Sequence, residues 1–466
     1  MLKRILSLLC SLSLLTVALC GCGAGTGGAG SSAGPDSSGV SGSASSPESS
    51  QTSTEGEVAL KFISWMTKGE DLPVLEDFMA ENPGIKVTNQ SLDGTNYQTL
   101  VNTMLMGGEI PDVFLVNSNM IPDLVRGGYI QPITDIPGVD KQQANPAIND
   151  LLSYDGEVYA YALNGSKGDV FVYYNKLYFT EHSLAVPTTV EEFDQLMADI
   201  LSLGDEPLAV SAGDTWSANY PAFNLSNAAI RELNLAGPHA AEKALLTGER
   251  KMSDLYGESF RKLADYYQKG YVSLSALSMG WEQAAQYLVD GGAQLLVSGN
   301  WVPGSTPVQQ SDPASFEVGC FPLPVVPCSD GKYYIGSSTD RVVVLSAHAE
   351  HPEAALKLFE YWIRDDVLVK YLERQGLLGI NVSAKVDPVF DYAYGLFEDT
   401  DKYAFSIGDL AMMPPGYNPN MAQYYADIYS GVDVQELLDK LDADYDAAMS
   451  TVDLEEYIAA IDALSS

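Results

Sequence analysis

Residues 58–116 read VALKFISWMTKGEDLPVLEDFMAENPGIKVTNQSLDGTNYQTLVNTMLMGGEIPDVFLV. Val58 to Trp65 is an apolar run rich in β-formers and reads as a strand. From about Glu70, Leu72, Leu75 and Met79 recur at helical spacing, and Asn82-Pro83-Gly84 stops the helix. Ile85 to Val87 gives a second short strand. Thr95 then stands as an N-cap before Tyr97, Leu100, Val101, Met104 and Leu105, which fall at i, i+3, i+4, i+7 and i+8. Gly107-Gly108 ends that helix, and Pro111 to Val116 is a third, buried strand. Strands alternating with helices are the pattern of a parallel sheet covered by helices on its faces. The fold class read from this stretch is α/β.

The rest of the chain keeps mixing the two periods. Asp169 to Tyr174 reads as a strand. Thr189 and Glu192 are spaced as a capping box ahead of a helix whose apolar face runs through Phe193, Leu196, Met197, Ile200 and Leu201. Gln294 to Val297 and Arg341 to Leu345 read as strands, and Pro352 opens a helix with Leu356, Phe359 and Ile363 inward. From about Val434 the chain is helical and acidic, and no repeat of 20 to 50 residues is present.

The first 56 residues carry a different signal. Lys3 and Arg4 precede a short apolar run that ends in Leu19-Cys-Gly-Cys22. A basic start, an apolar stretch and small residues at its end make an export signal. The run is shorter than the roughly 20 residues a spanning helix needs. The site also resembles the lipobox of bacterial lipoproteins, which implies residues 1–21 as leader and Cys22 as the lipidated first residue of the mature chain. Residues 22–56 then form a tether. It is almost all Gly, Ser, Ala and Thr and cannot bury enough surface to offset its ordering entropy. As a flexible coil it reaches roughly 30 Å. Gly30-Ser-Ser-Ala-Gly34 matches a nucleophile elbow, and Gly23, Gly25 and Gly28 match a dinucleotide fingerprint. Neither follows a strand or opens a helix, so both are discounted.

About 410 residues remain, enough for two domains with cores of their own. The formal charge is −37, and losing Lys3 and Arg4 with the leader leaves 23 basic against 62 acidic residues, a net of −39. Such a surface repels nucleic acid and anionic headgroups and suits a neutral or cationic ligand. Of five cysteines only Cys320 and Cys328 lie in the body. An exported protein permits a disulfide between them, and two thiols with no neighbouring His are too few for zinc.

Six segments, in order, carry a resemblance. They are Gly107 to Val116 (GGEIPDVFLV), Tyr154 to Tyr161 (YDGEVYAY), Val172 to Phe193 (VYYNKLYFTEHSLAVPTTVEEF), Asp290 to Trp301 (DGGAQLLVSGNW), Phe321 to Pro324 (FPLP) and His351 to Trp362 (HPEAALKLFEYW). Together they resemble the extracellular solute-binding proteins of ABC importers, in the carbohydrate-binding group that includes the maltose-binding proteins. Val190 stands where that family often has Trp, and Leu163-Asn164 where it often has Leu-Pro. The resemblance covers residues 57–466 and implies a two-lobe α/β fold with a ligand cleft between the lobes. It implies a first lobe from about 57–165 and 330–375, and a second from about 166–329 and 376–466. It further implies hinge closure on a sugar or short oligosaccharide, delivery to ABC permease subunits, no cofactor or metal and no catalysis. The expected protein is a monomer held by lipid on the extracellular face of the cell membrane.

A sugar cleft needs aromatic rings for C–H faces and polar groups for hydroxyls. Trp65 follows the first strand, where parallel sheets bind ligands, although the edge of the core is an equal alternative. Trp216 lies in the polar loop Gly213 to Asn219, which has no periodicity, and points to stacking. Trp281 opens a helix and fits either role, while Trp362 lies on a helix face and reads as core. The resemblance implies ligand contacts for Asn117 and Ser118 after a buried strand, and for Asn300 and Trp301 in its G-x-W motif. Asp340 is expected to accept hydroxyls, with a hinge ion pair to Arg341 as its other role.

Other chemistries find little footing. Adjacent tyrosines (173–174, 266–267, 333–334) suggest ferric ion, yet neighbours on a strand or helix point apart. Asp442 to Asp446 suggests a calcium loop, but Ala447 stands where that turn needs Gly. His182, His239, His348 and His351 fall in no metal-ligand spacing. Three rivals stay open. One is the same fold holding a charged solute through Arg341 or Lys68; another is a surface glycoside hydrolase with an unmarked carboxylate pair; the third is a sensor that presents its ligand to a receptor.

Overall fold

The computed structural model describes residues 57–66, 69–92, 94, 97–144, 146–165, 168, 170–214, 216–237, 239–336, 339, 341–377, 379–385, 387–406, 410, 413–414, 417, 421–450 and 452–463. The leader, Cys22, the tether and Thr95 lie outside the described residues. Thirteen strands occur among those described: β1 (Val58–Ser64), β2 (Ile85–Ser91), β3 (Val113–Val116), β4 (Ser153–Tyr154), β5 (Glu157–Val158), β6 (Ala160–Ala162), β7 (Val170–Asn175), β8 (Leu208–Ala209), β9 (Leu295–Gly299), β10 (Val318–Pro322), β11 (Tyr333–Gly336), β12 (Val342–Leu345) and β13 (Tyr403–Ser406).

Two sheets organise the body. The first has the order β2-β1-β3-β12-β6 and the second β10-β7-β9-β8. Strands β2, β1 and β3 run parallel, as the opening alternation predicts. The sheet is nevertheless mixed, because β12 pairs antiparallel with both β3 and β6. The reason is topological. Strand β12 enters the first lobe from the second, so it runs against strands whose crossovers stay within the lobe. In the second sheet only β8 and β9 are parallel.

Each sheet is buried on both faces, and side-chain alternation sorts the residues. In β3, Val113 and Leu115 join one apolar cluster while Phe114 and Val116 join another. Helices Leu72–Glu81, Pro352–Trp362 and Asp365–Gln375 cover the first face. There Trp362, fully buried as expected, stacks on Phe62 with centroids 5.3 Å apart. In β7, Val170 and Val172 face one cluster, and Phe171 and Tyr173 the other.

Two helices differ from expectation at single positions. Helix Leu72–Glu81 buries Val74, Leu75 and Phe78, while Leu72 at its first position is 44% exposed and Met79 only half-buried. In helix Val190–Leu203, Phe193, Leu196, Met197 and Ile200 go inward and Leu201 is exposed. Its Thr189 hydroxyl accepts the Glu192 N–H, and the Glu192 carboxylate reaches back to the N–H and hydroxyl of Thr188. Those donors hold the Glu192 carboxyl below its usual range. Strand β11 packs Ile335 into the second lobe's cluster.

The disulfide that the sequence permits is not formed. Cys320 and Cys328 are free and buried. Cys320 lies on β10 with its Sγ donating to the Val389 carbonyl, whereas the Cys328 Sγ is directed to the Ala228 carbonyl in another part of the lobe. Burial pushes their thiols up to about 12 and about 11. The acidic run at Asp442 is helical within Val434–Met449, and Asp442 accepts from the N–H and hydroxyl of Ser253.

Candidate functional site

Among the described residues, successive elements change from one sheet's lobe to the other three times: between β6 and β7, between β11 and β12, and after helix Asp365–Gln375. Described parts of these crossings lie side by side. The Leu163 N–H donates to the Arg341 carbonyl at 2.9 Å, and the Arg341 N–H to Asn164 Oδ1 at 3.0 Å. Asn381 Nδ2 donates to the Ala162 carbonyl at 2.9 Å. Gly165 allows the third contact, since a Cβ there would stand 2.6 Å from the Ile380 Cβ. Three adjacent connections between two cored lobes make a hinge.

Strand register then fixes which sheet ends face that hinge. Val342, at the start of β12, pairs with Val116 and Ala162, the last residues of β3 and β6. Val170, at the start of β7, pairs with Gly299, the last residue of β9. Because β1 is parallel to β3, and β8 to β9, all four strands end at the hinge side. Trp65 follows β1, Asn117 and Ser118 follow β3, the Trp216 loop follows β8, and Asn300 and Trp301 follow β9. The predicted residues thus gather at the hinge-facing ends of both sheets, the carboxyl-end position where open α/β sheets hold ligands.

On the second lobe three predicted tryptophans meet. The Trp216 and Trp301 rings are 5.5 Å apart at 65°, and Trp281 and Trp301 are 6.5 Å apart at 84°. Tyr220, which sequence reasoning missed, closes the cluster at 5.8 Å from Trp216 and 6.4 Å from Trp301. Its place just after the Trp216 loop was the available signal. Trp216 is 43% exposed, so the cluster presents an aromatic surface to solvent. Trp301 is partly buried, and its Nε1 has no partner among the described residues. Asn300 is buried beside it.

Gly299 makes this ring position possible. A Cβ at Gly299 would stand 2.0 Å from the Trp301 ring, so the indole lies directly over its backbone. The Tyr173 hydroxyl donates to the Gly299 carbonyl at 2.7 Å. The adjacent tyrosines do point apart, Tyr173 into one cluster and Tyr174 against the other. This is the physical content of a G-x-W pattern: the glycine is the floor on which the tryptophan rests.

The first lobe contributes less aromatic surface. Trp65 packs edge-on to buried Tyr97 at 5.0 Å and contacts the clusters on both faces of the sheet, so it belongs in part to the core. Asn117 and Ser118 are half-buried at the start of a short 3-10 turn, with the Asn117 side chain not used as a cap. Just beyond Trp65, Asp71 is fully buried and accepts a short hydrogen bond from the Ser64 hydroxyl. Burial raises its carboxyl to about 6. Arg341 Nη1 donates to the Tyr371 hydroxyl at 2.9 Å beside it. Asp340 and Lys68 lie outside the described residues.

An open groove of about 800 Å³ lies elsewhere on the second lobe, lined by residues including Asn175, Gln283, Gln286, Asp290 and Gln310. Three of its four amide side chains are already engaged. Gln283 caps the Gly280 N–H, Gln286 donates to Asp290, and Asn175 donates to the Ser315 carbonyl. None of its lining residues is aromatic. Among the described residues no group of three or more His, Cys, Asp or Glu could hold a metal ion, and no helix is long and apolar enough to cross a membrane.

Comparison with known proteins agrees with this architecture. A family profile described as bacterial extracellular solute-binding protein matches residues 74–398. The multiple sugar-binding protein of Streptococcus mutans is 25% identical over 313 residues, covering 65% of this chain and 70% of that protein. Among solved structures, RafE in complex with raffinose superposes with a TM-score of 0.69 at 19% identity, over 84% of this chain and 100% of that one. A Bacillus licheniformis sugar transporter protein in complex with stachyose gives 0.69 at 18% identity, over 84% and 100%.

Proposed function

This chain belongs to the bacterial extracellular solute-binding proteins, and from that premise we propose that it captures a neutral sugar or short oligosaccharide for an ABC importer. The observation that carries the reading is the meeting of Trp216, Trp281 and Trp301 at the hinge-facing end of the second sheet. Sugar C–H faces stack on such rings, and the ring N–H and nearby amides offer polar partners for hydroxyls. Trp301 Nε1, Asn300, Asn117 and Ser118 supply those groups, and Asp340 adds an acceptor from the hinge. The acidic surface disfavours anionic ligands and is compatible with neutral ones.

The mechanism is capture and closure. The open form exposes the aromatic platform, and ligand held against it draws the first lobe in by rotation about the three crossings. Closure follows from tighter binding to the closed state and needs no other energy input. The closed complex then docks on a membrane permease, and no covalent bond is made or broken. Lipid on Cys22 and the Gly/Ser tether keep the body near that permease at the extracellular face of the membrane, where it acts as a monomer.

Calorimetric titration with raffinose, stachyose and a chitin oligosaccharide tests the reading, using protein with Cys22→Ser so that no lipid is attached. Saturable binding of at least one, weakened in Trp216→Ala, supports it. Saturable binding that is unchanged in Trp216→Ala moves the site elsewhere, and no binding by any neutral sugar refutes the substrate class.

A further inference from the structure

The loop from Ser211 to Ser217 and the helix Trp281–Val289 come from distant parts of the chain, and Asp214 joins them. Its Oδ2 accepts the backbone N–H of Trp281 at 2.6 Å. A carboxylate at a helix N-terminus is stabilised by the exposed N–H groups and the helix dipole. Beside it, the Gly213 N–H donates to the Met279 carbonyl at 2.9 Å. The fit is close on both sides. A Cβ at Gly213 would stand 2.8 Å from the Met279 oxygen, and one at Gly280 would stand 3.2 Å from Asp214 Oδ2.

The loop is braced internally as well. The Ser211 and Ser217 hydroxyls are 2.7 Å apart and buried. The Asp214 N–H donates to the Ser211 carbonyl, and the Ser217 N–H to the Asp214 carbonyl, both at 3.2 Å. Trp216 rides on this braced turn, and Trp281 is the first residue of the helix that Asp214 caps. Both rings converge on Trp301.

We propose that Asp214 is the positioning residue of the tryptophan platform: by capping the helix at Trp281 it locks the Trp216 loop to that helix and holds the rings in one arrangement around Trp301. This rests on the reading of the platform as the sugar site. A ring set held before the ligand arrives loses little entropy on binding, so the lock sets affinity. Asp214 acts through the rings and not by touching ligand.

The test compares Asp214→Ala, Asp214→Asn and Gly213→Ala in the full chain with Cys22→Ser. The first readout needs no ligand: the exciton-coupled circular dichroism of the clustered indoles. Asp214→Ala removes the acceptor and is expected to diminish that band. Asp214→Asn keeps an oxygen acceptor and is expected to retain it. Gly213→Ala leaves the carboxylate but forces the junction apart, and is expected to reproduce the loss. The second readout is the dissociation constant for raffinose, which should rise about tenfold in Asp214→Ala, the size of one lost hydrogen bond to a charged group. It should change less than about threefold in Asp214→Asn. An unchanged band in both Asp214→Ala and Gly213→Ala overturns the proposal. So does an affinity loss in Asp214→Asn equal to that in Asp214→Ala, which would place the charge on the ligand itself. If the parent protein binds no sugar, the substrate reading fails, and the dichroism arm still decides the positioning role.

Discussion

The indole of Trp301 lies over the backbone of Gly299, so close that a single Cβ on the glycine would stand 2.0 Å from the ring. Gly299→Ala is therefore expected to displace Trp301 from its place between Trp216 and Trp281. Overpacking of this kind typically costs about 1–3 kcal/mol in stability. Sugar affinity should fall alongside, by roughly tenfold, because the central ring of the platform has moved. Calorimetric titration and thermal unfolding of the one variant check both parts.

Trp216 and Trp362 separate binding from folding. Trp216 is 43% exposed, so Trp216→Ala should leave the unfolding midpoint nearly unchanged while weakening sugar binding by about 2 kcal/mol, roughly thirtyfold. Trp362 is fully buried against Phe62, so Trp362→Ala should cost about 3–5 kcal/mol of stability. The ratio of the two effects in each variant is the quantity to measure.

Much of this was legible in the sequence, for reasons of spacing. Strand-helix alternation over residues 58–116 is local, and it gave the α/β class. Trp216 stood out because it interrupts a polar loop without periodicity, and Trp301 through its resemblance to the family's G-x-W motif. Their meeting was not legible, since it depends on β8 and β9 lying side by side in register. Neither was the role of Asp214, whose partner is a backbone N–H in a distant segment. On helix Leu72–Glu81, Leu75 is buried as expected and Met79 packs against the same cluster, while Val74 and Phe78 complete the face and Leu72 stays exposed, a choice that the sheet beneath decides. The two cysteines, close in sequence, diverge because Cys320 is committed to a strand.

Asp71 gives the protein a pH signature. Burial raises its carboxyl from 3.8 to about 6. Its neutral form is favoured in the fold, so its contribution is fully present below the unfolded value and is lost as pH rises through about 6. Asp71→Asn mimics the neutral form and keeps an acceptor for Ser64. It should stabilise the protein at pH 8 by as much as about 3 kcal/mol, with the gain fading toward pH 4. Thermal unfolding across that range is the check; a gain independent of pH would contradict it.

Cys320 and Cys328 should behave as two unreactive free thiols. Both are buried and both thiols are raised above their usual range. A thiol reagent should label neither in native, lipid-free protein and both after denaturation without reductant. A mass lower by two hydrogens, with no labelling after denaturation, would mean a disulfide.

The central claim is capture of a neutral sugar, and a thermal-shift screen of the Cys22→Ser protein meets it most directly. Ligand that binds only the native state stabilises it by about 2.7 kcal/mol at a hundredfold excess over Kd. The account predicts an upward shift with one series of neutral oligosaccharides, lost in Trp216→Ala and Trp301→Ala. No shift with any sugar, together with a shift on adding amino acids, peptides, polyamines or ferric ion, would contradict it while leaving the fold intact.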